Sequence, residues 1–250
     1  MEQYKDRTAV VTGASSGIGA AIAMDLVKAG MIVVGLARRV DKIEALKKDL
    51  PEELRENLYG MYCDVCDEGD TVWTFDLIDA KFDGIDVLIN CAGVFRETSL
   101  IDKDNSGPIR EVMNTNVIGL IICTREAFNS MEKHERNSHV VHINSIAGHQ
   151  IPFNMQQSSH NIYPASKHAV TTITEIHRQE FIRSKRHIKV TSISPGAVET
   201  EIVPGDYRER YGEIPFLQPE DISKSVLYIL GTPPHVQIHE LIIKPFGERF

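Results

Sequence analysis

The chain has 250 residues, of which 42% are hydrophobic and 25% charged, and its formal net charge is −8. This composition suits a globular protein with a sizeable core, built as one large or two small domains. The acidic balance, with 27 basic residues spread along the chain, argues against nucleic acid or an anionic membrane surface as the main partner. The polar start and the lack of a long apolar run lead us to expect neither a signal peptide nor an integral membrane segment.

Four cysteines are present, at Cys63, Cys66, Cys91 and Cys123. Cys63 and Cys66 form a C-x-x-C, a spacing used in zinc and redox sites. Zinc needs a second pair of ligands, and none stands at a suitable spacing. We therefore predict buried, reduced thiols, no metal site and a cytoplasmic location, where thiols stay reduced.

Short apolar runs alternate with helical patterns from one end of the chain to the other. The apolar runs predict strands at 8–12, 31–36, 58–63, 85–89, 139–144, 188–193 and 238–243. Helices are predicted from the first glycine-rich turn to Gly30, and at 42–50, 67–80, 109–131, 162–183 and 219–230. This alternation predicts a single doubly wound, Rossmann-type α/β domain over 1–250, with about seven parallel strands and helices on both faces.

A glycine-rich turn joins the first predicted strand to the first helix. It reads Gly13-Ala14-Ser15-Ser16-Gly17-Ile18-Gly19. Such a turn lets backbone amides approach a pyrophosphate, whose charge the helix N-terminus favours. The spacing is Gly-x-x-x-Gly-x-Gly rather than Gly-x-Gly-x-x-Gly, and the alternative is a tight turn without a ligand.

The end of the second strand predicts which dinucleotide is bound. A carboxylate there selects NAD through the ribose 2′-hydroxyl, but this chain has Arg38 and Arg39. Guanidinium groups pair with phosphate through a planar fork. We infer NADP(H) rather than NAD(H), and the alternative is that both arginines merely begin a solvated helix.

Tyr163 and Lys167 stand four residues apart, on one face of a predicted helix. A free phenol, with a pKa of about 10, is a poor base. A nearby ammonium favours the phenolate and lowers that pKa. The pair is therefore suited to proton transfer, although the same spacing also occurs on solvated helix faces.

These residues belong to a longer series of motifs that stand in order at the predicted strand ends. The series is Thr12-Gly13-x-x-x-Gly17-x-Gly19, Asp64, Asn90-Cys91-Ala92-Gly93, Asn116, Ser145, Tyr163-x-x-x-Lys167 and Pro195-Gly196 with Thr200. With it the chain resembles the short-chain dehydrogenase/reductase family over nearly its whole length. Residues 122–127, 163–170, 178–180 and 193–200 are similar to a branch of NADP-dependent farnesol dehydrogenases, related to ketosteroid reductases.

The resemblance implies an NADP(H)-dependent oxidoreductase that acts on CH–OH groups. It implies four catalytic residues: Asn116, which holds a water linked to Lys167; Ser145, which orients the substrate oxygen; Tyr163, which transfers the proton; and Lys167, which also holds the nicotinamide ribose. The implied cofactor contacts are Gly13, Ser15, Ser16, Gly17, Ile18, Gly19, Arg38, Arg39, Asp64, Val65, Asn90, Ala92, Gly93, Tyr163, Lys167, Pro195, Gly196, Val198 and Thr200. The interval from Ser145 to Tyr163 is longer than in most members, so we expect an extra loop there.

Apolar residues follow several strand ends, where open α/β sheets bind their ligands. The substrate candidates are Val94, Phe95, Ile151, Phe153, Ile202 and Tyr207, with a lid near 201–217. Such a pocket fits a hydrophobic alcohol or carbonyl compound, foremost an isoprenoid alcohol such as farnesol. The alternatives are a steroid or broad carbonyl reductase and, from another class, a non-catalytic NADPH-binding regulator. In the family the last strand commonly joins subunits, which implies a homodimer or homotetramer.

Overall fold

Strands and helices alternate through the described residues of the computed structural model, which are 1–151, 161–202 and 215–248. The strands are β1 Thr8–Thr12, β2 Ile32–Ala37, β3 Leu58–Tyr62, β4 Val87–Asn90, β5 Ser138–Ile143, β6 Ile188–Pro195 and β7 Glu240–Ile243. The helices are α1 Gly17–Lys28, α2 Val40–Leu46, α3 Glu68–Phe82, α4 Ser106–Met113, α5 Leu120–His134, α6 Tyr163–Ser184 and α7 Pro219–Leu230. The predicted strands are all present, with ends that differ by up to two residues.

The seven strands pair in parallel in the order β3-β2-β1-β4-β5-β6-β7. The chain order reverses between β1 and its neighbour β4. In open α/β sheets, ligands bind beyond the carboxyl ends of the strands at such a reversal. The predicted fold class is confirmed, and it places the glycine-rich turn and the turn after β4 side by side.

Helices cover both faces of the sheet because successive strand residues point to opposite sides. Val11 belongs to a core that includes Leu26 of α1 and Val226 of α7. Its neighbour Val10 belongs to a second core, with Ile78 of α3. All five residues are fully buried. Two buried faces explain why the inner strands are continuous apolar runs.

The helix predicted at 109–131 is not continuous. A π-helical segment, Asn114–Gly119, separates α4 from α5. Single π turns in helices frequently mark functional sites. This one contains Asn116, whose side chain bonds to Val94 and Ser166 in two other segments. The hydrophobic pattern gives no signal of the π turn, because the same residues would also fit an α-helix.

The expectation that the cysteine thiols are buried is wrong in part. Cys63 and Cys123 are buried, but Cys66 is exposed, and all four cysteines are free thiols. Trp73, at an apolar position of α3, is 61% exposed, whereas Ile78 on the same helix is fully buried. Of these two residues, Ile78 is the one that faces the sheet.

Within these three ranges, no helix combines the length and the apolar character that crossing a bilayer requires. The same residues contain no group of three or more His, Cys, Asp or Glu side chains placed to hold a metal ion.

Candidate active site

The glycine-rich turn packs closely against the turn after β4. Gly13 has a φ of +70°, and a Cβ there would lie 2.9 Å from the Cα of Ala92. A side chain at Gly19 would collide with the carbonyl oxygen of Gly13. Thr12 joins the two turns, because its Oγ1 accepts hydrogen bonds from the amides of Cys91 and Ala92, both at 3.0 Å.

The N-terminus of α1 opens toward this edge of the sheet. Ser16 is its N-cap residue, but the Ser16 side chain makes no capping hydrogen bond. The Oγ atoms of Ser15 and Ser16 instead accept hydrogen bonds from Nη2 of Arg39, at 3.2 and 3.0 Å. The free amides of a first helical turn favour an anion. The predicted pyrophosphate turn and Arg39 thus form one continuous surface.

The exposed side of the site carries several charges. Arg39 also binds Glu201, which Lys42 contacts as well. Arg38 is exposed; partial burial raises the pKa of the nearby Cys66 thiol, and the charge of Arg38 opposes that rise. Asp64, after β3, accepts a hydrogen bond from the amide of Cys66 at 3.1 Å.

The side chains of two predicted cofactor residues are buried inside the protein. Asn90 is buried, and its Nδ2 lies 2.9 Å from Thr124 Oγ1 and 3.1 Å from Nδ1 of His142. Val65 is buried against Gly119 of the π-helical segment. The side chain of Asn90 therefore points into the core, rather than toward the edge where a ribose would lie.

Ser145 and Tyr163 meet across the long interval between β5 and α6. Ser145 caps a short 3-10 turn, and its Oγ accepts a hydrogen bond from the amide of Ala147 at 3.1 Å. Its side chain also lies close enough to the Tyr163 phenol to lower the pKa of that group. The ring of Phe95 packs edge-on against that of Tyr163, with centroids 5.4 Å apart.

Lys167 lies beside Tyr163 and is almost fully buried. Its Nζ is 5.7 Å from the centroid of the Tyr163 ring and donates a hydrogen bond to the carbonyl oxygen of Ile143 at 3.0 Å. The ammonium is thus held at the end of β5, next to the phenol.

Burial dominates the proton affinities of both groups. It raises the pKa of Tyr163 to about 12, while the nearby side chain of Ser145 opposes that rise. It lowers the pKa of Lys167 to about 8. The site differs from the simple expectation of a phenol made acidic by an ammonium, because leaving water disfavours the charged form of each group.

Asn116 connects the π-helical segment to the rest of the site. Its Oδ1 accepts from the amide of Val94 at 2.8 Å, and its Nδ2 donates to the Val94 carbonyl and to Ser166 Oγ, at 3.0 and 3.1 Å. The amide side chain therefore fixes Val94 against α6. Its water-binding role stays a prediction.

The segment after β6 forms the remaining wall. The amide of Gly196 donates to the carbonyl of Ile243 at 2.7 Å, and any side chain there would collide with the carboxylate of Glu248. Val198 is buried and pairs with Leu217. Thr200 packs against Gly17, so the wall reaches the glycine-rich turn. Pro195 ends β6 and is buried.

The predicted substrate residues fall into three groups. Val94 and Phe95 lie at the site, next to Asn116 and Tyr163. Ile151 and Ile202 are exposed. Phe153, Tyr207 and positions 203–214 of the predicted lid lie outside the described residues.

Sequence reasoning missed three features of the site: Ser166 as a partner of Asn116, Glu201 as a partner of Arg39, and the proximity of Cys91 to Lys167. Burial raises the pKa of the Cys91 thiol to about 12, and the charge of Lys167 opposes that rise. An Asn in mid-helix is unfavourable, which is a signal for the first of these contacts but not for the other two.

Comparisons with known proteins agree with this geometry. A family model described as short chain dehydrogenase matches residues 7–210. A farnesol dehydrogenase of Aedes aegypti is 55% identical over 250 residues, which cover 100% of both chains. Dehydrogenase/reductase SDR family member 11 of Mus musculus is 41% identical, over 98% of this chain and 96% of its own length.

Two solved structures share the architecture. A short-chain type dehydrogenase/reductase from Mycobacterium marinum has a TM-score of 0.86 at 26% identity, over 97% of this chain and 95% of its own. The closed form of a serine dehydrogenase complexed with NADP+ has a TM-score of 0.84 at 26% identity, over 97% of this chain and 96% of its own.

Proposed function

This chain belongs to the short-chain dehydrogenase family, and on that premise we propose that it transfers a hydride between NADP(H) and a hydrophobic alcohol or its carbonyl product. The observation that carries the proposal is the buried ammonium of Lys167, 5.7 Å from the centroid of the Tyr163 ring. As the substrate we propose an isoprenoid alcohol such as farnesol. The 55% identity to a farnesol dehydrogenase over the full length of both chains supports this choice.

The residues at the sheet edge fit a dinucleotide phosphate. The contact of Gly13 with Ala92 leaves backbone, not side chains, at the turn where a pyrophosphate would approach. Arg39, next to the hydroxyls of Ser15 and Ser16, would hold the 2′-phosphate together with the neighbouring Arg38. Other predicted cofactor contacts, among them Asp64, Val65, Pro195, Val198 and Thr200, are proposed on the family resemblance. Bound NADPH supplies a hydride, which is the chemistry that the protein groups lack.

Tyr163 is the proposed proton donor in the direction of reduction. With a pKa of about 12, its phenol stays protonated at neutral pH, ready to protonate the oxygen of a carbonyl substrate. Ser145 Oγ already accepts from the amide of Ala147, so its own O–H is the group that can donate to that oxygen. In oxidation the steps reverse: Tyr163 must first lose its proton, and its phenolate then accepts the proton of the alcohol while Ser145 holds the alcohol oxygen.

Lys167 and Asn116 prepare this proton transfer. Lys167, with a pKa of about 8, is mostly protonated at neutral pH, so its charge stabilises a phenolate when the proton leaves. We propose that it also holds the nicotinamide ribose. Asn116 holds Val94 by a hydrogen bond to its amide. We propose that Asn116 also binds a water that is linked to Lys167.

The apolar ring of Phe95 next to Tyr163 supports a hydrophobic substrate. Phe95 follows Val94, which Asn116 holds, and precedes Arg96, whose Nε donates to Glu111 Oε2 of α4 at 2.7 Å. Both residues that flank Phe95 in the chain are therefore held by hydrogen bonds. We propose that it packs against the alkyl chain next to the reacting carbon.

We further propose one domain over 1–250, with a substrate lid near 201–217. Assembly through the β7 edge, where Ile242 is 47% exposed, is proposed to give a homodimer or homotetramer. Four free thiols support a cytoplasmic location.

The direct test is oxidation of farnesol with NADP+, followed by the absorbance of NADPH, with the Tyr163→Phe variant as the inactive control. We expect kcat/KM for farnesol to exceed that for hydroxysteroids and short-chain alcohols by about tenfold or more, the range that apolar pocket contacts provide. Faster turnover of a steroid would favour the ketosteroid branch. Tight NADPH binding without turnover of any alcohol or carbonyl compound would favour a non-catalytic regulator.

A further inference from the structure

Glu201 holds two cations of the predicted phosphate-binding surface. Its Oε2 accepts from both Nη1 and Nη2 of Arg39, each at 3.2 Å, and its Oε1 accepts from Nζ of Lys42 at 3.1 Å. Arg39 and Glu201 are separated by 162 positions in the chain. The fold therefore brings a carboxylate onto the guanidinium that faces the glycine-rich turn.

Arg39 is the group that the proposed function assigns to the 2′-phosphate. A guanidinium has five N–H donors in a fixed fork, and Glu201 takes donors from both of its Nη atoms. A carboxylate and a phosphate are the two anions that this fork binds in the same geometry. The 2′-phosphate and Glu201 therefore compete for the same donors.

We propose that Glu201 is a specificity-determining residue: an internal carboxylate that competes with the 2′-phosphate of NADP(H) for Arg39 and Lys42. This inference rests on the proposed NADP(H) dependence. Glu201 weakens binding of ligands that carry the 2′-phosphate and leaves ligands without it unaffected. The protein thus binds NADP(H) less tightly than its two cations would otherwise allow, and it discriminates less strongly against NAD(H).

The expected effect is small, because both partners are partly solvated. The side chains of Arg39 and Glu201 are 48% and 56% exposed, and ion pairs of this kind contribute little in water. Removing the charge of Glu201 should therefore tighten binding of a 2′-phosphate ligand by about two- to fivefold at low salt. The gain should shrink as salt screens the interaction.

The test uses the intact protein and two nucleotides that isolate the phosphate. Adenosine 2′,5′-bisphosphate and adenosine 5′-monophosphate are titrated by calorimetry into the wild type, Glu201→Gln and Glu199→Gln. The last variant is a matched control, because it removes the same charge two positions away, where the carboxylate accepts from Gln218 at 3.0 Å. We expect only Glu201→Gln to tighten binding of the bisphosphate, and we expect both variants to bind the monophosphate as the wild type does.

A double variant separates competition for Arg39 from a general effect of charge. In the Arg39→Ala background, the gain in bisphosphate affinity from Glu201→Gln should fall to less than half, because the guanidinium for which Glu201 and the phosphate compete is absent. An unchanged or weakened bisphosphate affinity in Glu201→Gln overturns the proposal, as does an equal benefit with and without Arg39. If the wild type binds bisphosphate no better than monophosphate, the proposed NADP(H) preference itself is rejected, and this inference with it.

Discussion

Lys167 and Arg39 are both cations at the carboxyl edge of one sheet, but their surroundings differ. Lys167 is 6% exposed, and its ammonium contacts a backbone carbonyl, whereas the side chain of Arg39 is 48% exposed and paired with Glu201. Charges act strongly in a buried site and weakly in a solvated one. The buried half of the site is therefore suited to moving a proton, and the exposed half to recognising a phosphate.

The largest expected effect is in the buried half. Tyr163→Phe keeps the ring that packs against Phe95 but removes the proton, so we expect turnover to fall by about a thousandfold or more. The NADPH dissociation constant should change by less than about threefold. Steady-state rates beside an NADPH titration measure both quantities. Tyr228→Phe, at an exposed tyrosine of α7, is the matched control, and turnover close to wild type in Tyr163→Phe would reject the assigned mechanism.

Lys167→Met should abolish turnover but stabilise the fold near neutral pH. Burial lowers the pKa of Lys167 from 10.5 to about 8, a cost of about 3 kcal/mol. The substitution removes this cost but also loses the hydrogen bond to Ile143, which contributes about 1 kcal/mol to stability. The net expected gain in the free energy of unfolding is about 2 kcal/mol.

The pH dependence of this gain has a definite sign. Between pH 8 and 10.5 the unfolded wild type keeps a proton on Lys167 that the folded protein has lost. The stability contributed by this group therefore rises with pH in that window. The advantage of Lys167→Met should be full below pH 8 and shrink toward pH 10.5, as measured by urea unfolding. Lys48→Met, at an exposed lysine, is the control, and an advantage independent of pH would contradict the assignment.

The smallest of these effects belongs to the exposed half. Arg39→Ala should weaken NADPH binding by about tenfold at low salt and leave NADH binding nearly unchanged, because only NADPH carries the 2′-phosphate. The difference should shrink with added salt. Fluorescence titrations with both cofactors measure it, and Arg110→Ala, at another exposed arginine, is the control. Equal losses for NADPH and NADH would remove the basis for the cofactor preference.

The same contrast explains what the sequence could predict. Strand runs and strand-end motifs are local patterns, so the sheet and the positions of Ser145, Tyr163 and Lys167 follow from them. Tyr163 and Lys167 lie one turn apart on α6, as their spacing predicts. Burial of the pair, which sets their pKa values, depends on packing from other segments and could not be derived from a four-residue spacing.

Long-range contacts are where sequence reasoning failed. The π turn at Asn116 is held by Val94 and Ser166, 22 and 50 positions away, and no local pattern distinguishes it from an α-helix. The pairing of Arg39 with Glu201 likewise needs the fold to bring two distant segments together.

The most direct test of the division between the two halves is a double-variant cycle on Tyr163→Phe and Arg39→Ala. Turnover at saturating NADPH and the NADPH dissociation constant are measured for the wild type, both single variants and the double variant. Independent sites predict that Tyr163→Phe changes turnover alone, that Arg39→Ala changes the dissociation constant alone, and that the double variant shows both losses unchanged. A loss of more than about tenfold in saturated turnover from Arg39→Ala, or in NADPH affinity from Tyr163→Phe, would contradict the account.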